Sequence, residues 1–263
     1  MTIRTEYETL EVEVSEAVVT ATINRPKVLN ALNEQVILDL LTMLDETALA
    51  SGARVLVITG SGEKAFVAGA DIGSMKGIDT DSALSFSRLG QELTKALEDS
   101  PFVTIAKING FALGGGCELA MACDIAIASE RSLFGQPEVD LGLIAGFGGT
   151  QRLTQRVGLP MAMDILVGGR KLNGREAYES GIISRVCPTE ELDDAVDATI
   201  ANILKSAPLA IQESKRLVRE SLDIPLHLGL SSESTAFANC FGRDESKEGI
   251  SAFLEKRKAT FSL

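Results

Sequence analysis

Hydrophobic and polar positions change rhythm along the chain. Tyr7–Val14 alternates, Ala17–Ile23 and Val55–Thr59 are β-branched runs, and Thr104–Ile108 and Ile125–Ala128 are short apolar segments, so each predicts a strand. Between them, Asn30–Leu49 places Leu32, Val36, Leu40, Leu41 and Leu44 on one helical stripe, with Asn30 as the expected N-cap. Ser82–Leu97 repeats that stripe through Leu84, Phe86, Leu89, Leu93 and Leu97. Strands alternating with helices predict an α/β domain. From about Glu190 the strand rhythm stops. Leu192–Leu204, Pro208–Leu222, Leu230–Cys240 and Ser246–Phe261 read as four successive amphipathic helices, with Pro208 and Pro225 marking starts and joins. The expected division is a core over 1–190 and a helical region over 191–263. Such a region docks on its own core or on a neighbouring subunit, and the pattern leaves both open.

Composition narrows the function classes. With 263 residues, 45% of them hydrophobic, the chain can bury a core without disulfides or metals. The longest uncharged run, Leu141–Gln151, is far shorter than the roughly 20 apolar residues of a membrane span. Met1–Ala17 lacks the apolar core of a secretory signal and the arginines of a transit peptide. Cys117, Cys123, Cys187 and Cys240 form no CxxC, and His227 is the sole histidine, so neither a disulfide scaffold nor a zinc site is expected. A reducing, cytoplasmic location is the resulting expectation. The net charge of −12 disfavours nucleic acid as a partner. A small anionic ligand is still compatible, since local cations and backbone amides can bind it.

The most informative stretch is Asn109–Cys123, where Gly114-Gly115-Gly116 separates a strand from an apolar, helix-length segment. Consecutive glycines let the backbone approach another molecule, and the helix start aims free N–H groups at it. Glu118 is the one charged residue in Gly110–Cys123. A buried carboxylate is costly unless it pairs, caps backbone groups or shifts its pKa for catalysis, and burial alone does not choose among these. In Phe134–Gly142, Pro137 holds Glu138 on an irregular stretch; taken alone, Glu138 reads as a surface or turn glutamate. Phe66–Ile72 supplies small residues after a strand, with Asp71 as a helix cap on the plainest reading. The glycine-rich run Gly146-Phe147-Gly148-Gly149-Thr150 opens the next helix. Gly60-Ser61-Gly62-Glu63-Lys64-Ala65 matches a loose dinucleotide fingerprint. Its continuation, Phe66-Val67-Ala68-Gly69-Ala70, does not start a helix, so a nicotinamide dehydrogenase is disfavoured.

Together and in this order, the segments resemble the crotonase, or enoyl-CoA hydratase/isomerase, family along essentially the whole chain. The resemblance is carried by Asn24–Asn33, Ala68–Ile72, Gly114–Glu118, Gly135–Glu138 and Gly148–Leu153. It implies a spiral of β-β-α units, a C-terminal helical trimerisation region, and assembly as a trimer or a dimer of trimers. It implies an acyl-CoA substrate, no metal, and no cofactor beyond the coenzyme A carried by the substrate. Glu118 and Glu138 would be the catalytic pair, and the amides of Ala70 and Gly115 the oxyanion hole. Ala68, Asp71 and Ile72 would lie against coenzyme A by backbone contact, with Lys27, and more loosely Lys256 and Lys258, near its phosphates. Possession of both glutamates favours a hydratase over a double-bond isomerase; a non-catalytic RNA-binding relative is disfavoured by the acidic charge. One departure is Ala145, where the family usually has proline. Asp71–Asp81 is expected to be a mobile flap beside the acyl chain.

Overall fold

The longer β-branched and apolar runs pair as one mixed sheet. The computed structural model describes residues 4–49 and 52–261, so the ends of the two expected regions at 1–3 and 262–263 lie outside the described residues. In chain order the strands are Leu10–Ser15 (β1), Val18–Ile23 (β2), Val55–Gly60 (β3), Ala65–Val67 (β4), Val103–Ile108 (β5), Phe111–Leu113 (β6), Ile125–Ser129 (β7), Leu133–Gly135 (β8), Leu172–Asn173 (β9) and Arg185–Cys187 (β10). One sheet has the order β1-β2-β3-β5-β7-β10, antiparallel only at the β1–β2 hairpin. All six residues of β3 are buried, as parallel strands covered on both faces require. A second sheet has the order β4-β6-β8-β9.

Each pair β3/β4, β5/β6 and β7/β8 sends one strand to each sheet before the chain turns helical. The helices of this core are Glu34–Leu49 (α1), Ile72–Met75 (α2), Thr80–Asp99 (α3), Gly115–Ala122 (α4), Gly149–Leu166 (α5) and Gly174–Glu179 (α6). This is the β-β-α spiral that the resemblance implied. Leu32, Leu40, Phe66, Leu93, Leu97 and Phe134 are fully buried in one cluster between the layers. Each such side chain contributes about 1.5–3 kcal/mol by leaving water. The expected stripe of α1 faces inward, and that of α3 does so from Phe86 to Leu97, while Leu84 at its start is exposed.

The N-cap of α1 differs from the expectation. The helix starts at Glu34, where Asn33 Oδ1 accepts from Val36 N at 3.0 Å. Asn30 is instead buried at φ 58°, accepting from Arg25 N and donating to the Ser61 and Ala65 carbonyls. It staples the 29–32 segment to the start of β4. The dinucleotide-like run also resolves: Gly60 ends β3, Ala65 begins β4, and a strand–turn–strand cannot present a helix to a pyrophosphate.

The remaining helices are Leu192–Leu204 (α7), Pro208–Glu220 (α8), Leu226–Phe241 (α9) and Asp244–Leu254 (α10). Leu192 and Val196 of α7 pack on Val55, Val57, Ile105 and Ile127, covering the other face of the large sheet. α10 stops earlier than its stripe predicts, because Lys256 turns to φ 56° and Arg257 folds back onto Glu248. Among the described residues no helix is long and apolar enough to cross a membrane.

Candidate active site

The segment 68–71 leaves β4 as a short extended stretch clamped by the loop that Asn30 staples. Ala68 N donates to Leu29 O (3.1 Å), Leu32 N to Gly69 O (2.9 Å) and Asp71 N to Leu32 O (2.8 Å). The alternation leaves Ala70 N pointing to the opposite side, where it finds no protein acceptor among the described residues. The Asp71 carboxylate pairs with Arg25 at 2.8 Å and accepts from Gly73 N, capping α2. The Arg25 hydrogen bond holds Asp71 below the usual carboxylate range. Its side chain thus fixes the segment while Ala70 presents an amide.

Gly114 joins β6 to α4 at φ 49° and ψ −124°, a backbone conformation that favours glycine, and its N–H is spent on Gly135 O. A side chain there would also strike the Glu138 carboxylate, whose Oε1 lies 2.6 Å from where a Cβ would stand. Gly115 N is then the first free amide of α4, and it too finds no protein acceptor among the described residues. Two unsatisfied N–H groups, Ala70 and Gly115, border one cavity of about 510 Å³.

Glu118 sits one turn into α4, all of whose residues are buried; it is itself only 1% exposed. Its Oε1 accepts from Phe147 N at 2.8 Å and Gly149 N at 2.6 Å, so it also caps the N-terminus of α5. That leaves Oε2 for the cavity that Glu118 borders. Burial pushes Glu118 up to about 7, against the two amide bonds, which favour the charged form. Capping by Oε1 therefore leaves the other carboxylate oxygen available for an acid or base task.

Glu138 is the second residue of a 3-10 turn, Pro137–Leu141, which Pro137 starts and Gly142 ends at φ 72°. It is half-buried, and burial raises its pKa. Gln136 is 2% exposed, and with its amide nitrogen facing Glu138 it donates to both carboxylate oxygens, at 3.1 and 3.2 Å. An amide atom of Gln136 and Glu118 Oε1 each lie 2.8 Å from the Cβ position of Gly149, so Gln136 sits between the two acids.

Glu118, Glu138, Ala70, Gly115, Ala68 and Ile72 all line this cavity. Asp71 and Lys27 do not: the Asp71 carboxylate is taken up by Arg25 and Gly73 N, and Lys27 is exposed on the turn Pro26–Val28. Sequence reasoning missed Gln136 and the Phe147 and Gly149 amides; the Ser82–Leu97 region, expected to bear on acyl-chain length, supplies a wall through Ala83, Phe86, Ser87 and Gln91. A polar residue between Gly135 and Pro137 was the available signal for Gln136. For the amides it was the glycine run at 146–149, whose tight turn carries them.

Known proteins share this sequence and fold. A profile of the enoyl-CoA hydratase/isomerase family matches residues 13–262. A crotonyl-CoA hydratase of Syntrophomonas wolfei is 43% identical over 97% of this chain and 98% of the relative. A short-chain-enoyl-CoA hydratase of Clostridium acetobutylicum is 42% identical over 95% of each. The crystal structure of an enoyl-CoA hydratase from Bacillus anthracis superposes with a TM-score of 0.93 at 32% identity, covering 97% of this chain and 99% of that one. The chain belongs to the enoyl-CoA hydratase/isomerase family.

Proposed function

We propose that this protein reversibly hydrates short-chain trans-2-enoyl-CoA thioesters to 3-hydroxyacyl-CoA. The observation that carries the reading is the pairing of a buried and a half-buried acid with two free amides around one cavity. The thioester oxygen sits between Ala70 N and Gly115 N, which stabilise the enolate-like charge built as water adds to C3. Glu118 takes the proton from that water and Glu138 delivers one to C2, so one water is consumed and no electrons are transferred. Exchange with solvent then resets both acids. Raised pKa values on both carboxyls suit proton transfer near neutrality. The chemistry needs no metal or redox cofactor, and coenzyme A arrives with the substrate. An isomerase needs only one carboxylate; the second acid, held by Gln136, favours hydration.

The preference for short chains rests on the far wall. Phe86 meets Phe147 edge to face with centroids 5.3 Å apart, and both line the cavity. The Phe147 ring lies 2.1 Å from where a Cβ of Gly90 would stand, so glycine within α3 makes room for it. Names of relatives, crotonyl-CoA hydratase and short-chain-enoyl-CoA hydratase, point the same way. Exposed Leu226, Phe237, Phe253 and Leu254 of the last helices support assembly into a trimer or a dimer of trimers, which would cover them. A kinetic profile over C4 to C16 enoyl-CoA substrates, with a 3-enoyl-CoA alongside, tests the reading. The expected result is fastest turnover at C4. A faster 3-enoyl-CoA rate would replace hydration by isomerisation, and no thioester turnover would remove both.

A further inference from the structure

The two amides that hold Glu118 belong to the turn 146–149, and the carbonyls of Gly146 and Phe147 on that turn are tied down. Ser87 Oγ and Gln91 Nε2, both from α3, donate to Gly146 O at 2.7 and 3.1 Å. Arg152 Nη1, from α5, donates to Phe147 O at 2.9 Å, and Thr94 Oγ1 does so at 3.2 Å. The guanidinium reaches that carbonyl because residue 148 is glycine: Nη1 lies 2.1 Å from where its Cβ would stand. Arg152 is itself fixed by a two-pronged pair with Glu98, Nε to Oε1 and Nη2 to Oε2, each 2.8 Å. Glu98 is in turn braced by Arg219 of α8 at 3.1 Å. The grip on Gly146 O sets the peptide unit that carries Phe147 N, and Phe147 O belongs to the unit linking that one to the unit of Gly149 N, so the Arg152 grip fixes how the two amides are set relative to each other when they meet Glu118.

We propose that Arg152 is a positioning residue for Glu118, clamping the Phe147 carbonyl so that the amides of the 146–149 turn are aimed at the catalytic carboxylate. This rests on the assignment of Glu118 as the base. Through Glu98 the same clamp connects the base to the docking of α8. The charged and titratable groups facing Glu118 are Glu138 from the 3-10 turn, Arg152 from α5 with Glu98 of α3 behind it, and Cys117 of α4. Burial pushes the Cys117 thiol up to about 12, which keeps it neutral. Arg152 is thus the cation of the set, and its removal both loosens the turn and takes away a positive charge. Each change favours the protonated form of Glu118.

The test compares wild type, R152Q and R152K as whole proteins, using crotonyl-CoA hydration across pH 5 to 9 and a carboxyl NMR titration of Glu118 without substrate. R152Q is expected to lower kcat by about 10–10²-fold with little change in KM, the usual cost of a misplaced reacting group. It is also expected to move the acid limb of kcat/KM, and the NMR titration, up by about one pH unit. R152K keeps the charge without the fork and should recover part of both. Should R152Q fail to accumulate as folded protein, T94V removes one hydroxyl from the same carbonyl and should move the titration in the same direction. A Glu118 titration unmoved in R152Q, or in T94V where that variant stands in, overturns the proposal even if stability falls. Wild type without hydratase activity would overturn the functional reading instead, and the NMR titration separates the two failures.

Discussion

Burial holds Glu118 in a state that costs stability above neutral pH. Its carboxyl titrates at about 7 in the fold, against 4.5 when unperturbed. A carboxylic acid whose folded pKa is raised binds more protons folded than unfolded between those values. Stability therefore falls as pH rises through that window, the reverse of the usual salt-bridged acid. The lift corresponds to about 3 kcal/mol once pH exceeds 7. Glu118→Gln keeps an oxygen for the Phe147 and Gly149 amides and removes the charge. It should melt several degrees above wild type at pH 8 and match it at pH 4.5, as differential scanning calorimetry would show; a lower melting point at pH 8 contradicts the burial argument. Phe86 carries a second expectation. Phe86→Ala opens the half-buried member of the ring pair without hollowing the core, and should raise kcat/KM for a C8 relative to a C4 substrate by about tenfold. An unchanged C8 to C4 ratio would locate the chain-length limit elsewhere.

Local elements set these residues in place with differing visibility. α2 and the turn after it, up to Asp79, are mostly exposed and beside the cavity, tied mainly by Asp71. Hydrogen exchange at residues 72–79 should be fast in free protein and slow when butyryl-CoA is bound; equal protection in both states counts against a flap there. The long strands and the stripes of α1 and α3 were legible because their apolar periods run over enough residues to count. The three-residue strands β4, β6 and β8 were not, since two or three positions show no period, yet they deliver Ala68–Ala70, Gly114 and Gln136 to the site. Asn30 was misread because buried asparagine and capping asparagine look alike before a helix. Glu138 could not be distinguished from a surface glutamate, because its burial comes from the fold and from Gln136, a neighbour whose polarity alone says little. Glu118 was legible as an isolated charge in an apolar helix. Its grip by the 146–149 turn was not, since those residues lie some thirty positions away.

For the molecule as a whole, the spiral makes one strand-to-helix junction per repeat, and two junctions, at 68–72 and 114–118, face the same cavity with free amides. The C-terminal helices leave Leu226 78% exposed and Phe253 82% exposed, and these side chains are the basis of the proposed assembly. Light scattering is expected to give the mass of three or six chains, and Phe253→Glu to lower it; a monodisperse monomer would remove the proposed assembly. In the proposed mechanism two acids flank one water beside a bound thioester. The most direct measurement of that arrangement is crotonyl-CoA turnover by Glu118→Gln and Glu138→Gln, with butyryl-CoA affinity determined for each. Turnover is expected to fall by about 10²–10⁴-fold in both while affinity stays within a few-fold of wild type. Near-wild-type turnover in either variant would contradict the two-acid mechanism.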